Sequence, residues 1–504
     1  MTRTVQQSKI INYINLLSSK YKKEKISVNA FAGTGKSTLL KETVKDIDAR
    51  YLGFAFNNSI VKENNQKFNK KRCMWKTTHV LAQNLIQMHF KNQNKSSSYF
   101  DFSIKRGDFK EKEILSFLKV EKEIKTIKNA LNIYKIYCNS SLKKFDILEI
   151  KNAAKLQSYQ DILSLTDSRL EECTSIAKMI WNAQRKKALP LTFDFYLKLA
   201  QVYDLSSTIK NIDFVLLDEA QDSNAVTLDI ISKINSHKIF VGDKHQSIYG
   251  FRGTVNALDF ADSSFYLSET FRYNKDIAQL ANYVLGYFKL EKEKIKSNVN
   301  NKLDTRALIF RNNSAMISKM DELIKEGIPF LTIKKPDDIF ACSISLLEKK
   351  LGKTISNDSY KYLDYEFKSY KEVEEYISET KDNELKSANV LLKTQNLDIF
   401  STLKKAKEFR KSKKNIKLIL TTAHTSKGLE FGHVELMKDF PDLIKLIKKY
   451  NFDSIDDLFY ECKNNNPYAK EIEQEINLLY VAITRAISTL DFSGLKFDIY
   501  NQDI

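Results

Sequence analysis

The sequence predicts an α/β fold built on two parallel sheets, each interrupted by a largely helical insertion. Three observations point there. Short, continuously apolar runs alternate with helical patterns, as strands covered on both faces require. These runs fall into an early and a late set, each sufficient for one sheet. Two long, charged stretches of helical periodicity break the alternation.

The early set is "KISVNA" (25–30), "YLGFAF" (51–56), "DFVLLDE" (213–219), "KIFVGD" (238–243) and "FYLSE" (265–269). The late set is "RALIFR" (306–311), "PFLTIK" (329–334), "KLILTTA" (417–423), "HVELMK" (433–438) and "STLDFS" (488–493). The first break carries "EKEILSFLKVEKEIKTIKNALNIYKIY", rich in Lys and Glu at helical spacing; the second is charged and mostly helical or loop-like. The expected division gives the first sheet residues 1–90 and 196–265, around an insertion at 91–195. The second sheet takes 266–334 and 411–504, around a smaller insertion at 335–410.

Composition narrows the function classes. No run of about twenty apolar residues is present, so no membrane partner is expected, and the N-terminus lacks the apolar core of a secretory signal. Five scattered cysteines without a C-x-x-C pair argue against a disulfide framework or a structural metal. The expectation is a cytoplasmic, intracellular protein, nucleoid-associated in a bacterium. A formal charge of +18 suits a polyanionic partner, although the abundance of Lys, Asn and Ile reads equally as compositional bias. Of 81 basic residues only 12 are arginine. An arginine kept at a given place therefore suggests a need for its planar fork.

The strand at 25–30 breaks into "FAGTGKSTLL", a turn with two of the chain's 13 glycines followed by a helix. Such a turn presents backbone N–H groups and the positive end of a helix dipole to a phosphate. Ala32, Gly33, Thr34, Gly35, Lys36, Ser37 and Thr38 form this cradle. Lys36 can reach the outer phosphates and Ser37 can hold Mg²⁺. Ala30 stands at the first position of the usual glycine motif.

The strand "DFVLLDE" ends in acids. Asp218 is placed to hold Mg²⁺ and Glu219 to polarise an attacking water. After the next strand, "VGDKHQSIYGFRG" (241–253) offers Gln246 as a sensor of a terminal phosphate or water. It also brings Tyr249, Phe251 and Arg252 as stacking surfaces and a cation for unpaired bases.

"AFAGTGKST", "DEAQD", "VGDKHQSIYGFRG", "SETFRYN" (268–274), "TTAHTSKGLEF" (421–431) and "EINLLYVAITRA" (475–486) follow the order seen in UvrD/Rep/PcrA-like superfamily 1A DNA helicases, which this chain resembles. The resemblance is closest to the F-box DNA helicase branch, and "AKMIWNAQRKKALPLTFDFYLKL" (177–199) and "LMKDF" (436–440) share it. It implies two RecA-like P-loop NTPase domains, a helical 1B insertion and a reduced 2B-like insertion. It also implies ATP and Mg²⁺ as cofactors, single-stranded DNA and single/double-strand junctions as partners, and a protein partner such as a nuclease or a repair or recombination factor.

Carried over to these positions, the resemblance implies that Gln7, or its neighbour Gln6, reads the adenine edge, and that Phe271 stacks on the adenine. Arg272 and Arg485 contact the γ-phosphate as arginine fingers, and Glu430 touches the ribose. Phe56, Asn57, Thr77, His79, Tyr249, Phe251, Arg252 and His424 match strand-contacting positions; His89, His237, His245 and His433 receive no role. Neither an F-box nor a fused nuclease is expected.

The expected activity is an ATP-dependent helicase or translocase that moves 3′ to 5′ on single-stranded DNA, driven by hydrolysis at the cleft between the two RecA-like domains. The alternative is an ATP-gated DNA sensor or regulatory subunit of a nuclease or defence complex, with little unwinding. A P-loop small-molecule kinase would have no use for the tyrosine, phenylalanine and arginine cluster.

Overall fold

A computed structural model describes residues 3–55, 57–92, 108–109, 111–119, 122–157, 159–250, 253–379, 382–394, 397–412 and 416–495. The expected positions Phe56, Phe251 and Arg252 lie outside the described residues. The chain divides into two compact units. One comprises Met1–Phe271 with Tyr460–Gln474; the other comprises Arg272–Phe459 with Glu475–Ile504. No described helix is long and apolar enough to cross a membrane.

The first unit is organised on a six-stranded sheet. Its order is Cys73–Lys76, Tyr51–Phe54, Phe214–Asp218, His237–Gly242, Lys25–Ala30 and Ser263–Leu267. Every pairing is parallel. Parallel strands need crossovers that cover both faces, which is why the central strands are buried along nearly their whole length. Ile26, Val28, Phe214, Leu216, Ile239 and Val241 form the middle of this core.

A second, helical core in the same unit gathers Ile124–Asn139, Asp167–Arg185 and Phe193–Val202 around Tyr134, Tyr137, Trp181 and Phe195. These helices begin where the sequence supplies capping side chains. Thr166 and Thr192 each accept a backbone N–H of the first turn, as Asp146 does for Ile147–Leu156.

The second unit carries a five-stranded parallel sheet. Its order is Leu331–Thr332, Leu418–Thr422, Arg306–Phe310, Phe431–Leu436 and Ala486–Asp491. Between its strands run the helices Pro336–Lys350, Tyr362–Glu366, Tyr370–Glu379, Asn383–Thr394 and Ile399–Ser412. Their apolar faces close two cores. One is around Phe310, Phe330, Phe340 and Leu420, the other around Leu346, Ile355, Leu363 and Val373.

Candidate nucleotide and nucleic-acid site

Parallel register gathers the chemistry of the first unit at one sheet edge. Asn29 pairs with Gly242, and Val241 with Asp218. The turn after Ala30, the acids after Leu217 and the turn after Gly242 therefore emerge side by side at the carboxyl ends of their strands, where open α/β sheets bind ligands.

The glycine turn has the backbone its role requires. Gly33 and Gly35 lie in the left-handed region at φ 77 and 84, which costs glycine nothing and other residues strain. Gly35 also caps the helix Lys36–Asp46 without a side-chain acceptor, so the first-turn N–H groups face outward. A Cβ at Gly35 would come 3.0 Å from Gln7 Nε2 and 3.9 Å from Phe271 Cε2. Gln7 and Phe271 thus both border this turn.

Gln7 is buried and closes a capping box with Thr4, whereas Gln6 turns to Ser268. Phe271 N donates to Gly33 O at 2.9 Å, and Thr270 Oγ1 to Ala32 O. Ala32 and Thr34 are buried, with Thr34 Oγ1 donating to Phe31 O; Ser37 and Thr38 are exposed.

Lys36 Nζ donates to Glu219 Oε1 at 2.8 Å. Burial works against the lysine's charge, but Glu219 and Asp218 outweigh it and hold its pKa above the ordinary value. Asp218 is buried, and its acid is pushed up to about 6, by desolvation first and the Glu219 charge second. Glu219 itself sits at φ 51, a left-handed conformation unusual for a non-glycine residue and often found at functional sites.

One residue that the motif reading gave no role braces this cluster. Gln221 is fully buried, donates to Glu219 Oε2 at 2.7 Å and accepts from Asp243 N at 3.1 Å. Asp243 in turn accepts from Gln246 Nε2 at 2.9 Å, so acids and sensor are tied through one amide. Gln221 was visible inside "DEAQD".

A loop that cradles anions, a lysine and two acids fit a magnesium–nucleoside triphosphate, with Lys36 and the loop amides for phosphate and Ser37 and Asp218 for the metal. Among the described residues no group of three or more His, Cys, Asp or Glu side chains could hold a metal by itself.

Of the remaining first-unit positions, Asn57 caps the helix Asn58–Lys67 through Oδ1, and Thr77 Oγ1 accepts from Val80 N. His79 Nε2 lies 3.5 Å from Asp194, with the ring edge-on to the exposed Phe193. Tyr249 is half-buried.

In the second unit, Arg272, Glu430 and Arg485 come together. Arg272 Nε lies 2.7 Å from Glu430 Oε1, and its Nη1 donates to Thr484 O. Arg485 is only 1% exposed and donates to Val481 O, Leu429 O and Thr484 Oγ1 at 2.9–3.2 Å. Burial and neighbouring Arg272 push its pKa down to about 9, so it stays charged at neutral pH. His424 is half-buried on the short helix Ala423–Ser426, which Thr422 caps.

Two family models match the chain. The UvrD/REP helicase N-terminal domain matches residues 12–260, and the UvrD-like helicase C-terminal domain matches residues 338–496. The chain is 29% identical over 384 residues to F-box DNA helicase protein 1 of Schizosaccharomyces pombe, covering 67% of this chain and 40% of that one. It is 26% identical over 502 residues to F-box DNA helicase 1 of Gallus gallus, covering 92% and 46%. A probable DNA helicase of Mycoplasma pneumoniae is 22% identical over 372 residues, 63% of this chain and 66% of that protein. The chain thus spans less than half the length of both F-box relatives.

Proposed function

The chain belongs to the UvrD-like helicase family, and on that premise we propose that it is an ATP-dependent DNA helicase or translocase. The observation that carries the proposal is the Lys36–Glu219–Asp218 cluster under a left-handed glycine turn, joined through Gln221 to the Gln246 loop.

Lys36 and the first-turn amides grip the triphosphate, Ser37 and Asp218 hold Mg²⁺, and the metal supplies neutralisation of phosphate charge. Glu219 orients the attacking water. Its two oxygens are held by Lys36 and Gln221, so its direction is fixed before any substrate arrives. Gln7 and Phe271 recognise the adenine, and Glu430 the ribose. Arg272 and Arg485 steady the terminal phosphate; Arg272 is the more accessible of the two. Loss of those contacts on hydrolysis is the event that advances the strand.

Single-stranded DNA runs over Phe56, Asn57, Thr77, His79, Tyr249, Phe251, Arg252 and His424, with 3′-to-5′ travel following the family resemblance. A protein partner, a nuclease or a repair or recombination factor, belongs to the same proposal.

Strand displacement on fluorescent duplexes with a 3′ or a 5′ single-stranded tail tests the reading. Displacement of the 3′-tailed duplex with Mg²⁺ and ATP is expected. DNA-stimulated ATPase without displacement would favour the sensor role, and absence of ATPase would overturn both.

A further inference from the structure

The strand Lys25–Ala30 is buried from Ile26 onward, yet its next-to-last side chain is an amide, Asn29, at 6% exposure. An apolar residue would bury there at lower cost. The cost is visible: Asn29 Nδ2 is buried and meets no acceptor among the described residues. A polar group kept at such a place calls for an explanation.

The amide oxygen supplies one. Asn29 Oδ1 accepts the backbone N–H of Lys244 at 3.1 Å. One residue earlier, Asp243 N donates to Gln221 Oε1, also at 3.1 Å. Two successive N–H groups are thus held by two buried amides. One comes from the strand that runs into the glycine turn, the other from the segment that follows the acids. Beyond them lies the short turn Lys244–Gln246. Asp243 closes it, accepting His245 N at Oδ1, Gln246 Nε2 at Oδ2 and Gln246 N at its backbone oxygen. The His245 ring stacks on Phe31, two residues past Asn29, with centroids 5.8 Å apart.

We propose that Asn29 is a positioning residue: by holding the Lys244 N–H it sets Gln246 at a fixed distance from the phosphate turn, where Gln246 meets the terminal phosphate of a bound triphosphate. The inference rests on the reading of Gln246 as the sensor of that phosphate. Asn29 acts through the backbone of residues 243–246 and contacts no phosphate itself. Its loss should therefore weaken discrimination between triphosphate and diphosphate and spare the grip on the phosphates they share.

The test compares Asn29→Leu, of similar size without the oxygen, and Asn29→Ala with the unaltered protein and with Gln246→Ala, after thermal unfolding has shown which Asn29 variants fold. The readout is the affinity for a non-hydrolysable ATP analogue and for ADP, each with Mg²⁺, by competition with a fluorescent nucleotide. The ratio of the two affinities should fall about fivefold in the Asn29 variants, the scale of one neutral hydrogen bond, while ADP affinity stays the same. An unchanged ratio in a folded Asn29 variant, beside a lowered one in Gln246→Ala, would overturn the proposal, as would equal losses for both nucleotides. A Gln246→Ala protein that kept the full ratio would sink the sensor reading, and the proposal with it.

Discussion

Asp218→Asn should make the nucleotide-free protein more stable while abolishing its ATPase. The substitution removes a charge and keeps the shape. Burial and the Glu219 carboxylate push the Asp218 acid up to about 6, against the opposing pull of Lys36, the Glu219 N–H and Asn64. Unfolded, the same acid titrates near 4. Between those values the folded state binds the proton more tightly, so stability falls as pH rises through that window, and the whole penalty is present above it. A shift of roughly two units corresponds to about 3 kcal/mol at pH 7.5 and about half that at pH 5. For a cooperative unit of this size, that is a gain of roughly 5–10 °C in melting temperature. The assay is thermal unfolding of both proteins in EDTA at pH 7.5 and pH 5. A variant that melts no higher at pH 7.5, or whose advantage does not shrink on acidification, would refute the reasoning that this carboxylate is held at a cost to stability.

Three further outcomes follow from the same structure. Lys198 is fully buried, donates to Ser140 O and Leu142 O, lies 4.2 Å from the Tyr137 ring centre and is pushed by burial down to about 7. Above that pH the unfolded chain binds the extra proton, so stability should rise from pH 7 to pH 9. The rise should be smaller in Lys198→Met, as melting curves at the two pH values would show. Arg485→Lys keeps the charge but strands buried acceptors at Val481, Leu429 and Thr484. It should lose about 2–4 kcal/mol in denaturant titrations and most of the ATPase rate; undiminished turnover would argue against the finger role. Gly35→Ala forces a left-handed backbone on alanine and crowds Gln7 Nε2, so it should cost about 1 kcal/mol of stability and weaken binding of a fluorescent ATP analogue.

Most of the sheet framework was legible because buried parallel strands read as unbroken apolar runs. "KISVNA" is a strand over Lys25–Ala30, and "DFVLLDE" over Phe214–Asp218. The edge strand Cys73–Lys76 escaped notice. It is four residues long, alternates buried and exposed side chains, and sits beside a lysine-rich turn, so it offers no run. The strand in "PFLTIK" shrinks to Leu331–Thr332, since it lies at a sheet edge where one partner suffices.

The nucleotide candidates were legible for a different reason: phosphate chemistry restricts residue types at fixed spacing, as in the glycine turn. What braces them was hidden. Gln221 ties Glu219 to the backbone of Asp243 by hydrogen bonds, and the motif letters do not show which way its amide turns. Nor did "AITRA" show that Arg485 is folded inward onto three acceptors; besides Val481, four residues back, that depends on Leu429, which only the fold brings near.

The Lys36–Asp218–Glu219 cluster is expected to hydrolyse ATP in response to a DNA strand. Steady-state ATPase of the purified protein with Mg²⁺, measured with and without single-stranded oligonucleotide and beside Lys36→Ala, addresses it directly. Turnover should rise with the oligonucleotide and vanish in a folded Lys36→Ala protein. Turnover indifferent to DNA, or retained in that variant, would contradict it.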